Sequence, residues 1–417
     1  MLPMRVLLAI SKYLPEYSGA AIRLHRTYLR LQNLSPDLKV HVLAGSVTWS
    51  GVREDVVEGI PVHRIGPRVF DWWRRGRGIG GWTWRLGTLE VAHQAKRFLD
   101  RGGWDVVHVV GTSGITATAM AWASRKQCPL LVELTSRMDT PVQRLPVLRF
   151  VTPAPDLTRR TVVMAISPQL AERAREEGLV DNVWTRPNPV DETRFRPTLP
   201  EARGEARREL GVPDDALPLG SSVAQFIPRK NHAFLVDMLA GCSQGLRILM
   251  GGPDWPVPGR TGEGESLARV RHLIQASGIQ DRIWLRPGFL NQSTVLRASD
   301  VYLMPAWDEG LGTPLLEALA AGVPVVANAA EPAFRFWLEG AGRGGGVLAP
   351  LEPEAWVRGI QEALRIPVET RVAVAERIRS IAGTEVIDAG YVRILTALAG
   401  SKPSARLRVA PILGSEG

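Results

Sequence analysis

Trp307-Asp308-Glu309-Gly310-Leu311-Gly312-Thr313-Pro314-Leu315-Leu316-Glu317-Ala318-Leu319-Ala320-Ala321-Gly322-Val323-Pro324-Val325-Val326-Ala327 joins two glutamates, a glycine-rich loop, a helix start and a strand. The apolar run Val301 to Met304 ends just before it, as a strand would. Thr313-Pro314 has the form of a helix N-cap followed by proline at the first helical position. Glu309, Gly310, Leu311 and Gly312 then fall in the loop entering the helix, with Glu317 about one turn inside it. Free N–H groups and the positive dipole end favour a phosphate at such an N-terminus, and glycine lets a ligand approach the backbone. A diphosphate fits there, flanked by two carboxylates that accept hydrogen bonds only and so suit sugar and ribose hydroxyls. The plain structural alternative is two glutamates complementing a helix dipole, with Gly322 closing an ordinary helix.

Outward from this block, short apolar runs alternate with helical patterns, the signature of βαβ units and parallel sheets. In the first half, strands are expected at Val6 to Ile10, Val40 to Ala44, Val62 to Ile65, Val106 to Val110, Leu130 to Leu134 and Val162 to Ile166. Helices are expected at Ala20 to Gln32, Leu86 to Asp100, Ile115 to Lys126 and Pro168 to Glu177. Asn188 to Asp215, rich in proline and charge, reads as a linker. A second alternation follows, with strands at Leu219 to Ala224, Leu246 to Met250, Ile283 to Leu285, Val301 to Met304 and Val323 to Ala327. Its helices are expected at His232 to Leu239, Glu265 to Ala276, Ser293 to Ala298 and Pro314 to Ala321. The fold class is therefore α/β, with two doubly wound Rossmann-like domains facing a central cleft. Glu369 to Ala399 reads as terminal helices, and 401–417 as a weakly ordered tail.

The 417 residues are too many for one ordinary core. Two cysteines, Cys128 and Cys242, make neither a disulfide framework nor a metal-ligand cluster, so a reducing, cytoplasmic setting is expected. No stretch approaches the ~18 apolar residues that span a bilayer. The net charge of +9 favours anionic partners. Its clearest local source is Arg68 to Arg85, where Trp72, Trp73, Trp82 and Trp84 lie among five arginines and one aspartate. Tryptophan favours membrane interfaces and arginine favours lipid headgroups, so peripheral contact with the inner face of a membrane is one reading. A surface loop with arginines stacked on tryptophans is the other. No recognition helix, zinc spacing or RNA-binding aromatic motif accompanies the charge, which argues against nucleic acid.

The 307–327 block resembles the acidic motif of retaining glycosyltransferases of the GT-B fold, specifically the large family four that uses nucleotide-diphosphate sugars. Other similarities follow in order: Pro15-Glu16-Tyr17-Ser18-Gly19-Ala20-Ala21 in the first loop, Pro187-Asn188-Pro189-Val190-Asp191 with Phe195-Arg196-Pro197 at the close of the first domain, and Val223 to His232 as a strand and basic loop. Gly251-Gly252-Pro253 and Ile283-Trp284-Leu285-Arg286-Pro287-Gly288-Phe289 complete the series. The resemblance implies an acceptor-side domain at 1–195, a nucleotide-sugar domain at 196–383, and a helix at about 384–400 packing back on the first domain. It assigns Lys230, with Arg229, to the donor diphosphate and Glu309 to sugar hydroxyls. Glu317 goes to the ribose, Gly310, Leu311, Gly312 and Thr313 to the phosphates, Gly19 to the phosphate or reacting sugar, and Gly288 and Phe289 to the nucleobase side. It implies no metal and no resident cofactor, the nucleoside-diphosphate sugar being a co-substrate, and an acceptor of unknown identity, lipid-linked in one reading, in cell-envelope or polysaccharide glycoconjugate synthesis.

Three positions depart from the family pattern. Gln225 stands where the family usually has arginine, so Arg229 is left to supply that charge. His108 lies two residues before the frequent histidine position, which Val110-Gly111-Thr112 occupy, and so reads as a core or strand-end residue. Glu133-Leu134-Thr135 fill a second histidine position, where Glu133 either contacts the acceptor or is a strand-end carboxylate. Donor chemistry is therefore more legible than acceptor chemistry. A non-catalytic sugar-nucleotide-binding protein and a nucleotide-sugar epimerase remain as alternatives. A dinucleotide-dependent oxidoreductase lacks its strand-bound glycine fingerprint with an acid ~20 residues on.

Overall fold

The computed structural model describes residues 3–409 apart from 17, 47, 69–79, 136–138, 140–155, 180, 199, 243, 244, 255–264, 403 and 404; the side chains of 80–84, 200 and 265 are likewise outside the description. Two compact units divide the chain, Met1–Asn188 with Glu385–Glu416, and Pro189–Thr384.

The first unit runs β1 (Met4–Ile10), α1 (Gly19–Leu34), β2 (Leu38–Gly45), β3 (Gly51–Val57), β4 (Ile60–Gly66), α2 (Gly80–Arg101), β5 (Val106–Val110), α3 (Gly114–Lys126), β6 (Leu130–Leu134), β7 (Thr161–Ala165), α4 (Pro168–Glu176) and β8 (Val183–Thr185). The sheet order is β3-β4-β2-β1-β5-β6-β7-β8, with every neighbour pair parallel except β3 with β4. β5, β6 and β7 are buried along their whole length, as strands covered by helices on both faces must be. α1 starts where the Ser18 hydroxyl accepts from the Ala21 N–H, and it buries Ala21, Leu24, Tyr28 and Leu31 on one stripe. β3 escaped the sequence reading because it is an edge strand with exposed Arg53 and Glu54, not an apolar run. Its hairpin turn is Glu58-Gly59, both at positive φ.

The second unit runs α5 (Pro200–Glu209), β9 (Leu219–Val223), a 3₁₀ turn (Pro228–Lys230), α6 (His232–Ala240), β10 (Arg247–Gly252), α7 (Glu265–Ser277), β11 (Ile283–Pro287), α8 (Gln292–Ala298), β12 (Val301–Met304), α9 (Thr313–Ala320), β13 (Val325–Asn328), α10 (Pro332–Glu339), β14 (Gly346–Ala349), α11 (Pro353–Leu364) and α12 (Val368–Ala382). Its sheet, in the order β11-β10-β9-β12-β13-β14, is wholly parallel. The expected linker from Asn188 to Asp215 is not one. Residues from Pro189 onward belong to the second unit, and α5 occupies Pro200–Glu209 of the stretch. Charge misled the reading, because Arg207 of this helix is buried, donates to the Ala298 carbonyl at 3.1 Å and pairs with Asp300 at 2.7 Å.

α13 (Thr384–Ala399) then returns to the first unit, where Ile387, Tyr391, Ile394, Leu395 and Leu398 join the core of β1, β2 and β4. Gly390 makes this docking possible, since a Cβ there would sit 2.5 Å from the Trp184 ring. Residues 405–409, inside the stretch expected to be weakly ordered, also pack here. Leu407 and Val409 lie against the core, and the Val409 N–H donates to the Asp181 carbonyl at 3.1 Å.

Candidate functional site

In the second unit β9 is flanked by β10 on one side and β12 on the other, so the chain reverses its winding between β9 and β12. Such a switch point leaves a crevice at the carboxyl ends of the strands, where doubly wound sheets bind ligands. The loops leaving these two strands are tied together. The Trp307 N–H donates to the Arg229 carbonyl at 2.9 Å, and Asn231 Nδ2 donates to the Pro305 carbonyl at 3.4 Å.

Side chains follow the backbone. One oxygen of Glu309, Oε1, accepts from Arg229 Nη1 at 3.1 Å and from the Lys230 ammonium. Glu309 and Lys230 are largely enclosed, whereas Arg229 is 40% exposed. Burial draws Lys230 below its ordinary pKa, and the attraction of Glu309 offsets this only in part. Next along the chain, His232 is buried against Phe226, with ring centroids 4.5 Å apart, and its Nε2 has no hydrogen-bond partner. Burial first, and then the charge of Lys230, push its pKa down to about 3.

The glycine-rich loop enters α9 differently from the sequence reading. The N-cap is Gly312, not Thr313, and Thr313 is already the first helical residue. Gly312 has φ +76, and a Cβ on it would lie 2.7 Å from Phe334, so the turn is open to glycine alone. No side chain caps this end. Leu311 is buried, while Gly310 and Thr313 are half-buried. Glu317 is half-buried on α9; its charge and that of Glu309 both act on the Tyr302 phenol, whose pKa burial raises first.

The remaining expected positions lie farther out. Gly288, at φ +109, donates its N–H to the Gly252 carbonyl at 2.8 Å, which joins the ends of β10 and β11, and Phe289 beside it is 62% exposed. Gly19 opens α1 in the first unit, with nothing within 4 Å of where a Cβ would stand. Gln225 sits in the loop after β9 and supplies no charge, so Arg229 and Lys230 are the cations on Glu309. Trp72 and Trp73, and the side chains of Trp82 and Trp84, lie outside the described residues.

Glu133 and His108 take the structural option. Both are buried in the first unit. Glu133 Oε1 pairs with Arg186 at 2.9 Å and with Arg23, and its Oε2 lies 3.3 Å from His108 Nε2. His108 Nδ1 meets the Tyr28 hydroxyl at 2.8 Å, and Arg186 also donates to the Tyr391 hydroxyl on α13 at 2.5 Å. Burial alone would raise the Glu133 carboxyl, yet the charges of Arg23 and Arg186 carry it well below its usual range. This carboxylate fastens α13 to the sheet.

Two residues near Glu309 escaped the sequence reading. Asn328 Nδ2 donates to the Ala306 carbonyl at 3.1 Å, and Glu331 Oε2 accepts the Glu309 N–H at 3.2 Å. A signal existed in Glu331-Pro332, a carboxylate before proline at a helix start. Among the described residues, no group of three or more His, Cys, Asp or Glu is placed to hold a metal ion, and no helix is long and apolar enough to cross a membrane.

The 204–381 segment, which holds all of this cluster, matches the family model described as glycosyl transferases group 1. This segment is similar to that family. The chain is 33% identical over 151 residues to a putative glycosyltransferase EpsF of Bacillus subtilis, covering 35% of this chain and 36% of that one. It is 36% identical over 160 residues to a D-inositol 3-phosphate glycosyltransferase of Stackebrandtia nassauensis, covering 36% of this chain and 34% of the other. It is 29% identical over 149 residues to a GDP-mannose-dependent monoacylated alpha-(1-6)-phosphatidylinositol monomannoside mannosyltransferase of Corynebacterium glutamicum, covering 34% and 37%. The matched part thus spans about a third of each relative's length. Among solved structures, sucrose-phosphate synthase of Thermosynechococcus elongatus superposes with a TM-score of 0.68 at 19% identity, over 95% of this chain and 99% of that one. HepE of Anabaena in complex with UDP and glucose gives 0.68 at 18% identity, over 94% and 100%. The fold is the α/β GT-B fold, as the resemblance implied.

Proposed function

We propose that the chain transfers a hexose-type sugar from a nucleoside-diphosphate donor to an acceptor hydroxyl, with retention at the anomeric carbon. The observation that carries this reading is the convergence of Glu309, Arg229 and Lys230 at the switch point of the segment similar to the group 1 family. Lys230, Arg229 and the amides of Gly310 to Thr313 stabilise the departing diphosphate, Glu309 holds sugar hydroxyls, and Glu317 the ribose. Gly288 and Phe289 lie beside the nucleobase. No protein nucleophile is required when acceptor and leaving group meet on one face, where a diphosphate oxygen takes the acceptor proton. Rate enhancement then comes from positioning and electrostatics. The protein's own cations do the work of neutralisation, with neither metal nor resident cofactor.

The solved HepE complex with UDP and glucose, and the GDP-mannose dependence in one relative's name, support a nucleotide-sugar donor. For the acceptor we favour a lipid-linked molecule of a cell-envelope or polysaccharide pathway, met at the inner face of the membrane through 68–85. The composition of that segment supports this. So does the continuation of the helix that follows it, where Leu86 and Leu89 are exposed by 58% and 37%.

Thermal shift against UDP, GDP and ADP sugars identifies the donor, because a bound ligand stabilises the native state in proportion to its occupancy. Product analysis then reads the reaction: transfer supports the proposal, whereas binding without turnover indicates a sugar-nucleotide-binding protein and an altered donor sugar indicates an epimerase. Lys230→Ala is expected to cost about 2 to 4 kcal/mol of transition-state stabilisation. Wild-type turnover in that variant would remove Lys230 from the mechanism.

A further inference from the structure

We infer that Glu331 is a positioning residue for Glu309, and that it sets how the transferred sugar is held without touching it. The inference rests on the sugar-transfer reading and extends it to the loop after β13. Glu331 is buried, and its two oxygens do different tasks. Oε1 accepts the Ala333 N–H at 3.3 Å and caps α10, while Oε2 accepts the Glu309 N–H at 3.2 Å. Its own N–H donates to the Asn328 carbonyl at 3.1 Å, and the Asn328 amide in turn holds the Ala306 carbonyl. From the opposite side, the loop after β9 holds the same segment at Trp307 and Pro305.

Residues 305–309 are therefore gripped by their backbone on both flanks, between one loop that carries the cations and another that carries Glu331. The Glu309 side chain adds its ion pairs with Arg229 and Lys230, but the backbone bonds do not run through it. It can exchange the cations for sugar hydroxyls while the backbone bonds persist. A carboxylate suits position 331 because both oxygens must accept N–H groups. A glutamine offers one accepting oxygen and turns an NH₂ group towards the other donor. One buried N–H would lose its partner, and the backbone at Glu309 would shift to recover it.

The test uses the full chain and compares the wild type with Glu331→Gln. Binding of UDP, GDP and ADP is measured beside that of their glucose or mannose conjugates, and steady-state transfer is followed with the conjugate that binds. The expected result is a fall in kcat/KM on the order of 100-fold, the usual consequence of a misplacement of about 1 Å at a reacting group. The extra affinity that the sugar gives over the free nucleotide is lost as well, while affinity for the free nucleoside diphosphate does not fall below the wild-type level, since a displaced Glu309 competes no more strongly for the cations. A merely damaged site would lose both affinities. Unchanged kcat/KM with an unchanged sugar increment would overturn the inference. If the wild type binds nucleotide sugars without transferring them, the function reading fails while the sugar increment still decides the role of Glu331. If Glu331→Gln does not fold, or no nucleotide binds, hydrogen exchange of the wild type decides it. Strong protection of the Glu309 amide supports the brace, and exchange at the rate of an open loop refutes it.

Discussion

Acid should destabilise the second unit through His232. Its pKa of about 3 lies below the ordinary value because the ring is buried beside Lys230, so the folded unit keeps it neutral while the unfolded chain protonates it near pH 6.5. A depressed folded pKa means that the unfolded state binds more protons as pH falls. The stability contribution is intact above about pH 6.5 and shrinks progressively until the pH passes the folded value. At pH 5, roughly 1.5 pH units below the unfolded pKa, the loss is about 2 kcal/mol. His232→Phe removes the titrating group but keeps a ring to pack on Phe226. Urea unfolding of wild type and variant at pH 7.5 and pH 5, followed through the second unit, compares the pH-dependent change and cancels any constant cost of the substitution. The wild type should lose about 2 kcal/mol more than the variant between the two pH values. Equal losses would mean that a proton reaches His232 in the folded unit, and the argument from burial would be wrong.

Glu133→Gln should destabilise the first unit by about 3 to 5 kcal/mol, because Arg186 would stay buried without its counter-charge. Trp184, in edge contact with Tyr391 at 5.4 Å, gives a fluorescence signal for that unfolding. A loss below about 1 kcal/mol would show that the arginines find other partners. The chain should bind vesicles containing anionic lipid and release them as salt rises, with replacement of Trp72, Trp73, Trp82 and Trp84 abolishing the contact. Undiminished vesicle binding by that quadruple variant would exclude 68–85 as the docking segment.

The sequence displays what depends on local pattern and hides what depends on partners brought from afar. Strands such as β5 and β12 were legible because burial on both faces demands an unbroken apolar run. β3 and α5 were not, the first because an edge strand is polar, the second because Arg207 finds its counter-charge in Asp300, 93 residues away. The helix mouth was legible as glycine, proline and glutamate in close order. Its cap was misassigned because Thr313-Pro314 fits a capping pattern one residue later than the cap that forms, Gly312, whose left-handed φ of +76 is set by the fold and not by the local pattern. Glu331 was invisible as a partner of Glu309, since their bond crosses from the loop of one strand to that of the next. Glu133 was ambiguous for the same reason, its partners Arg23, His108, Arg186 and Tyr391 coming from α1, β5, the segment after β8, and α13.

The way Glu309 is held has a consequence that separates binding from transfer. In the proposed reaction Arg229 and Lys230 face the diphosphate, yet in the structure both cations point at a single oxygen of Glu309. A nucleoside diphosphate that uses these cations competes with the carboxylate for them, and a donor sugar compensates by giving Glu309 hydroxyls to accept. Glu309→Gln removes the competing charge and keeps the side-chain volume. A hydrogen bond to a charged group contributes about 1.5 to 3 kcal/mol, so release of even one cation should tighten free nucleoside diphosphate roughly tenfold or more. Transfer should fall at the same time, because the amide cannot hold the sugar hydroxyls with the strength of a carboxylate. Calorimetry with UDP, GDP and ADP, set beside turnover of the matching sugar conjugate, reads both effects. Weaker binding of the free nucleotide to the variant would mean that Glu309 organises the cations and does not compete with the diphosphate for them.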